Sequence, residues 1–107
     1  MTLKNWSLPS IVPDTITELA QGGSGKEVAI ISLIIANNDS TSSITVDVRI
    51  TDSSDVLIAY ILPPTTINSN DVKNIEVKFF LNNQEKVKVQ SNLATTTFIM
   101  SGDEFTP

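Results

Sequence analysis

The stretch Ile44-Thr45-Val46-Asp47-Val48-Arg49-Ile50-Thr51 decides the fold class of this 107-residue chain. Its apolar residues alternate strictly with polar ones, which is the period of a β-strand with one buried and one hydrated face. Valine, isoleucine and threonine, which favour strands, together account for 34 of the 107 residues. Pattern and composition together predict a protein built from strands.

Segments of strand character recur on both sides of this stretch. We expect them at Thr15–Leu19, Val28–Ala36, Val56–Leu62, Val72–Phe79, Lys86–Gln90 and Thr95–Met100. Clusters of Asn, Asp, Ser and Gly, which form turns, separate them at intervals of about ten residues. This spacing is typical of an antiparallel β-sandwich, either immunoglobulin-like or jelly-roll-like.

Two of these segments are apolar at nearly every position. Val28–Ala36 and Val56–Leu62 lack the alternation of a half-buried strand. A continuous apolar run indicates a central strand that is covered on each side. We therefore expect both segments to be covered on both faces, which would place Tyr60 in the core.

Residues 1–14 have a different character. They show no clear alternation and contain two prolines and the only tryptophan. We interpret them as an extended N-terminal arm, followed by a single β-sandwich domain over residues 15–107. Because an exposed indole is costly, Trp6 is expected to pack onto its own sandwich or onto a neighbouring subunit. The residues expected to mediate protein interaction are Leu3, Trp6, Leu8 and Ile11.

Composition excludes several chemistries. The chain has no cysteine and no histidine, so it has no disulfide, thiolate nucleophile, Ser-His-Asp triad or histidine metal cage. We therefore expect a protein that is not an enzyme, without catalytic residues, cofactor or metal. The net charge of −5 argues against nucleic-acid binding. The absence of a signal-peptide pattern and the shortness of the longest apolar run argue against a membrane partner.

Two groups of residues are candidate binding sites. The cluster Gly22–Lys26 lacks the first glycine and the final hydroxyl of a phosphate-binding loop, and a strand follows it instead of a helix. Asp39, Asp52 and Asp55 lie in turns, with Asp47 nearby, and their carboxylates are candidate ligands for calcium. Aspartates in turns more often accept hydrogen bonds from nearby backbone amides. We expect that role here.

The stretch from Glu27 to Glu104 resembles small β-sandwich virion proteins encoded in the structural-gene regions of tailed bacteriophages. The elements that carry the resemblance are Ile31–Asn38, Val46–Asp52, Ala59–Pro63, Glu85–Ser91 and Ile99–Glu104. In that family, a strand ending in an Ala-Asn turn and a strand closing on Thr-Asp precede an apolar strand, a proline loop and a Lys-Val strand. The chain departs from the family at Asn82-Asn83-Gln84, where an Ala-Gly-Asp turn is usual.

The resemblance implies a non-enzymatic structural component of a virion, such as a capsid decoration or a head–tail or tail accessory protein. Such a protein docks on neighbouring capsid, neck or tail subunits and forms homo-oligomers, with neither nucleic acid nor membrane as a partner. It is made in the host cytoplasm and resides in the virion. The alternative is a β-sandwich module that binds glycans or a host surface, for which Trp6 and Tyr60 are the aromatic candidates.

Overall fold

The regular structure is entirely β within residues 2–76 and 78–107, the part of the chain that a computed structural model describes. The strands are β1 (Thr2–Leu8), β2 (Thr17–Gln21), β3 (Glu27–Asn37), β4 (Ile44–Thr51), β5 (Leu57–Ile67), β6 (Val72–Ile75), β7 (Phe79–Leu81), β8 (Lys86–Ser91) and β9 (Thr96–Phe105). Sheet A has the order β1-β9-β3-β6, with β7 also paired to β3, and sheet B has the order β2-β8-β4-β5. Every pairing is antiparallel. The prediction of an antiparallel β-sandwich is confirmed.

The strand order distinguishes between the two kinds of sandwich that the sequence left open. Strands β6 and β7 lie end to end along β3, so they act as one interrupted strand. Counted in this way, the sandwich has eight strands. Their arrangement, β1-β9-β3-β6 in one sheet and β2-β8-β4-β5 in the other, is the double Greek key of a jelly roll. An immunoglobulin-like sandwich would pair the first two strands in one sheet. Here β1 and β2 lie at the edges of different sheets.

The core lies between the inner faces of the two sheets, as the alternation of β4 predicts. Ile44, Val46 and Val48 are buried, whereas Thr45 is exposed and Arg49 is half-buried. Most of the other core residues lie on β3, β8 and β9, and they are Val28, Ile30, Leu33, Ile35, Val87, Val89, Phe98 and Met100. Ile11, Leu19, Ala20, Ile67 and Leu81 are also part of the core. Burial of these side chains is the main term that stabilises the sandwich.

The first strand corrects the prediction of an N-terminal arm over residues 1–14. Residues 2–8 are β1, an edge strand that pairs with β9 along its whole length, from Thr2↔Glu104 to Leu8↔Phe98. The alternation is hard to recognise in the sequence because Lys4 occupies the same side of the strand as Trp6. That lysine is held by a salt bridge of 2.9 Å to Glu104 on β9. The segment is therefore part of sheet A.

Four further predicted strands have different limits in the structure. The strand expected over Thr15–Leu19 is β2 over Thr17–Gln21, and the strand expected over Thr95–Met100 continues to Phe105 as β9. The strand expected to end at Pro63 continues to Ile67 as β5. Prolines are tolerated there because β5 is an edge strand, where a missing amide hydrogen does not break the sheet. The strand expected over Val72–Phe79 is divided into β6 and β7, and Val77 lies outside the described residues.

Adjacent residues of β9 should differ sharply in their effect on stability. Phe98 is fully buried, so Phe98→Ala should lower the free energy of unfolding by about 3–5 kcal/mol. Ile99 faces outward, so Ile99→Ala should cost about 1 kcal/mol or less. Urea titration of both variants measures the difference. Equal losses would contradict the assignment of inner and outer faces.

Candidate protein-interaction surface

The outer face of sheet A is unusually apolar for a sheet surface that no second layer covers. Ile34 of β3 lies opposite Ile99 of β9, and Ala36 of β3 lies opposite Val72 of β6. Residues opposite each other in register share one face of the sheet. The large side chains of this surface, called here the apolar face, are Leu3, Ile31, Ile34, Val72, Phe80 and Ile99.

Phe80 is the most prominent aromatic side chain of the apolar face. It lies opposite Ala29 of β3 and is 60% exposed. Its ring meets the ring of Phe105 edge to face, with 6.2 Å between the centroids. An edge-to-face pair fixes the orientation of both rings, so Phe80 presents a preformed apolar contact to the surroundings.

A recess crosses the apolar face where the edge of the sheet is interrupted. β7 pairs with β3 up to Ile30, and β6 pairs with it from Leu33 onward. Ile31 lies between these segments at a register shift of the β3–β9 pairing, and it is 46% exposed. The recess has a volume of about 530 Å³ and is lined by Ile31, Ser32, Ile34, Asn74, Glu76 and Lys78.

This exposure corrects the prediction that Val28–Ala36 is covered on both sides. β3 is central within sheet A, but only its inner face packs against sheet B. An apolar run in the sequence does not distinguish an outer face that is covered within the same chain from one left exposed. The apolar residues of this run that face away from the core are the feature of the sequence that indicates the apolar face.

The outer face of sheet B has the opposite character. Arg49 forms a salt bridge of 2.8 Å to Asp47 on the same strand. Lys86 and Lys88 of β8 each place their Nζ atom 3.0 Å from the Oδ1 atom of Asp55. We call this surface, formed by these five residues and Gln90, the charged face. Its charges largely neutralise one another, as expected for a surface that remains hydrated.

Tyr60 lies on the outer side of β5, beside the charged face. The prediction that Tyr60 is in the core is wrong, because β5 is an edge strand and Tyr60 is 43% exposed. The guanidinium carbon of Arg49 lies 5.1 Å from the centroid of the Tyr60 ring, within cation–π range. A neighbouring recess of about 270 Å³ is lined by Ile16, Arg49, Thr51, Asp55, Leu57 and Lys88.

The four residues predicted to mediate interaction occupy different environments. Leu3 is 70% exposed and belongs to the apolar face. Trp6 and Leu8 point the other way along β1 and pack against the core, and Ile11 is itself a core residue. Of these four residues, only Leu3 is therefore exposed enough to contact a partner. Phe80 and Ile99, which the sequence reasoning missed, lie on the same face as Leu3.

Asp39 and Asp52 act as local hydrogen-bond acceptors, as expected, whereas the carboxylate of Asp55 is instead bound by the distant Lys86 and Lys88. The Oδ1 atom of Asp39 accepts hydrogen bonds from the amides of Thr41 and Ser42. The Oδ1 atom of Asp52 accepts hydrogen bonds from the amides of Ser54 and Val56. Among the described residues there is no group of three or more acidic side chains placed to hold a metal ion. No helix in this part of the chain is long and apolar enough to span a membrane.

Comparison with known proteins adds no relative to these observations. A scan against protein-family models and a search of curated proteins both found no match to this chain.

The charged face generates a prediction about pH. The hydrogen bond from Lys86, followed by that from Lys88, holds the pKa of Asp55 below its ordinary value of 3.8. A carboxyl whose pKa is lower in the folded chain stabilises the fold above its unfolded pKa, and this contribution disappears as the pH falls through the folded pKa.

Carboxyl NMR titration should show that Lys86→Met raises the pKa of Asp55 and that added salt weakens the effect. Lys4→Met, far from Asp55 in the sheet order, is the control. An unchanged pKa in Lys86→Met would contradict the assignment.

Proposed function

We propose that this protein is a non-enzymatic structural component of a tailed-phage virion, such as a capsid decoration or a head–tail or tail accessory protein. The observation that carries the proposal is the contrast between its two outer faces. The apolar face docks on a neighbouring capsid, neck or tail subunit, and the charged face remains in water. The jelly-roll order is compatible with this role because viral capsid domains use it, although lectin domains do so too.

The magnitude of the contact suits a subunit that binds in many copies. Five of the six side chains of the apolar face are 40–70% exposed, and Ile34 is less exposed. These five contribute roughly 0.8–1.5 kcal/mol each on full burial, or about 4–8 kcal/mol in total. Loss of translational and rotational freedom costs about 4–15 kcal/mol. A single copy therefore docks weakly through this face alone. Neighbouring copies on a regular lattice can strengthen attachment by multivalency.

The test is the occupancy of the protein on purified particles of the phage that encodes it. Phe80→Glu and Ile99→Glu each place a charge where apolar contact is proposed, so each should reduce occupancy at least about tenfold. Gln90→Glu adds the same charge on the charged face and should leave occupancy unchanged. Quantitative mass spectrometry of gradient-purified particles measures all three variants.

Two results would overturn different parts of the proposal. If the protein is absent from the purified particles, it is not a virion component. If Gln90→Glu reduces occupancy as strongly as Phe80→Glu, the apolar face is not the docking surface. Circular dichroism of each variant distinguishes lost docking from lost folding.

A glycan-binding module is the second candidate, and one observation favours it. Tyr60 is exposed next to Arg49 and a recess, which is an arrangement that could stack and hydrogen-bond a sugar ring. Trp6, the other aromatic candidate, is half-buried against the core. Binding to a glycan array that Tyr60→Ala abolishes and Phe80→Ala preserves would favour this function over the first.

A further inference from the structure

We propose that exposed side chains directly before and at the start of β5 form a two-fold contact with a second copy of this chain. These side chains, called here the β5 strip, are Val56, Leu57, Ile58 and Tyr60. Val56 is 60% exposed and Ile58 is 52% exposed. The contact forms in the free protein, so it is independent of the docking of the apolar face and of the proposed function.

The local geometry of β5 turns these side chains outward. β5 is the edge strand of sheet B, and its pairing with β4 contains three register shifts. Two of these shifts leave Ile58 and Ile61 as extra residues of β5 with no counterpart in β4. Extra residues of this kind increase the local twist and redirect side chains.

The same geometry determines the kind of contact. The register shifts interrupt the regular spacing of free backbone groups along the edge, and Pro63 and Pro64 have no amide hydrogen to donate. Both features disfavour the extension of sheet B by hydrogen bonding to another strand. The two copies therefore meet by packing side chains of the β5 strip against each other.

The distribution of charge favours a second copy as the occupant. The chain carries a net charge of −5, so two copies repel wherever their carboxylates approach. A two-fold contact places the same patch of both copies together. Val56–Asn70 contains no Asp, Glu, Lys or Arg. Asp55, which precedes Val56 and is exposed, is neutralised by salt bridges to Lys86 and Lys88, so this contact brings no unpaired like charges face to face.

The apolar face is less suited to self-association. Asp103 of β9 lies opposite Leu3 of β1 on one side and Ala29 of β3 on the other, so its carboxylate lies within that face. A two-fold contact between two apolar faces would bring two copies of this carboxylate into one interface. Like charges in an interface discriminate against that pairing. The two surfaces therefore have different partners.

The β5 strip alone offers about half the area of a standard interface, so the dimer is expected to be weak and reversible. Half-exposed side chains of this size present on the order of 100 Å² each, which gives roughly 400 Å² per copy from the strip, against about 800 Å² in a standard interface. The neighbouring residues of the same edge that extend the contact are Ala59, Pro63, Pro64 and Thr66, all of them exposed. We expect an equilibrium between monomer and dimer at micromolar concentrations.

Cross-linking locates the contact, because the natural chain has no cysteine that could interfere. A residue near a two-fold axis lies close to its own copy in the partner. Leu57→Cys, Ile58→Cys and Tyr60→Cys introduce single thiols along the strip. Under mild oxidation, at least one should form an intermolecular disulfide at least tenfold faster than Phe80→Cys, the matched control on the apolar face.

Sedimentation velocity gives the second measurement. The unmodified protein should pass from monomer to dimer as its concentration rises. Ile58→Glu should raise the dissociation constant at least tenfold, and Phe80→Glu should leave it unchanged while still impairing docking on particles. A monomer at every concentration up to about 1 mM would overturn the proposal. A dimer whose cross-linking is as fast through Phe80→Cys as through the strip would also overturn it.

Discussion

Ten residue pairs join β3 to β9, from Glu27↔Phe105 to Asn37↔Thr96, and the rest of sheet A is arranged around this pair. The approach of the two backbones requires glycine at position 102. A Cβ atom there would lie 2.6 Å from the carbonyl oxygen of Ala29. Beside this close approach, the Oγ atoms of Ser32 and Ser101 lie 2.7 Å apart in a hydrogen bond that links the strands on the outer face.

The β3–β9 pair also explains why one sandwich has two unlike surfaces. Its inner residues, such as Leu33 and Phe98, supply the core, and its outer residues Ile34 and Ile99 form the centre of the apolar face. A sheet of this kind buries one face within its own chain and leaves the other exposed, and we propose that a partner covers that exposed face. In sheet B, Lys88 and its neighbours cover the outer side of β8 and β4 with paired charges, and the exposed apolar residues are confined to the β5 strip at the edge.

The sequence predicts local structure well and tertiary position poorly. The alternation of β4 correctly indicates that Ile44, Val46 and Val48 are buried. It does not predict that the polar residues Asp47 and Thr51 are buried as well. The sequence does not clearly predict β1, because Lys4 interrupts the apolar side of a short strand. The sequence predicts Tyr60 in the core, although it lies on an edge strand, because only the pairing of strands determines which strand is at the edge of a sheet. The apolar face could not be predicted as a unit, since residues as distant in sequence as Leu3 and Phe80 meet only through the strand order.

The burial of the apolar face in an assembly can be tested most directly by hydroxyl-radical footprinting of the protein, free in solution and within purified phage particles. If the face is a docking surface, Phe80 and Ile99 will be oxidised much more slowly in the particles than in the free protein. Residues of the charged face will keep the reactivity that they have in solution. Equal oxidation of Phe80 and Ile99 in both states would contradict a docking role for this face.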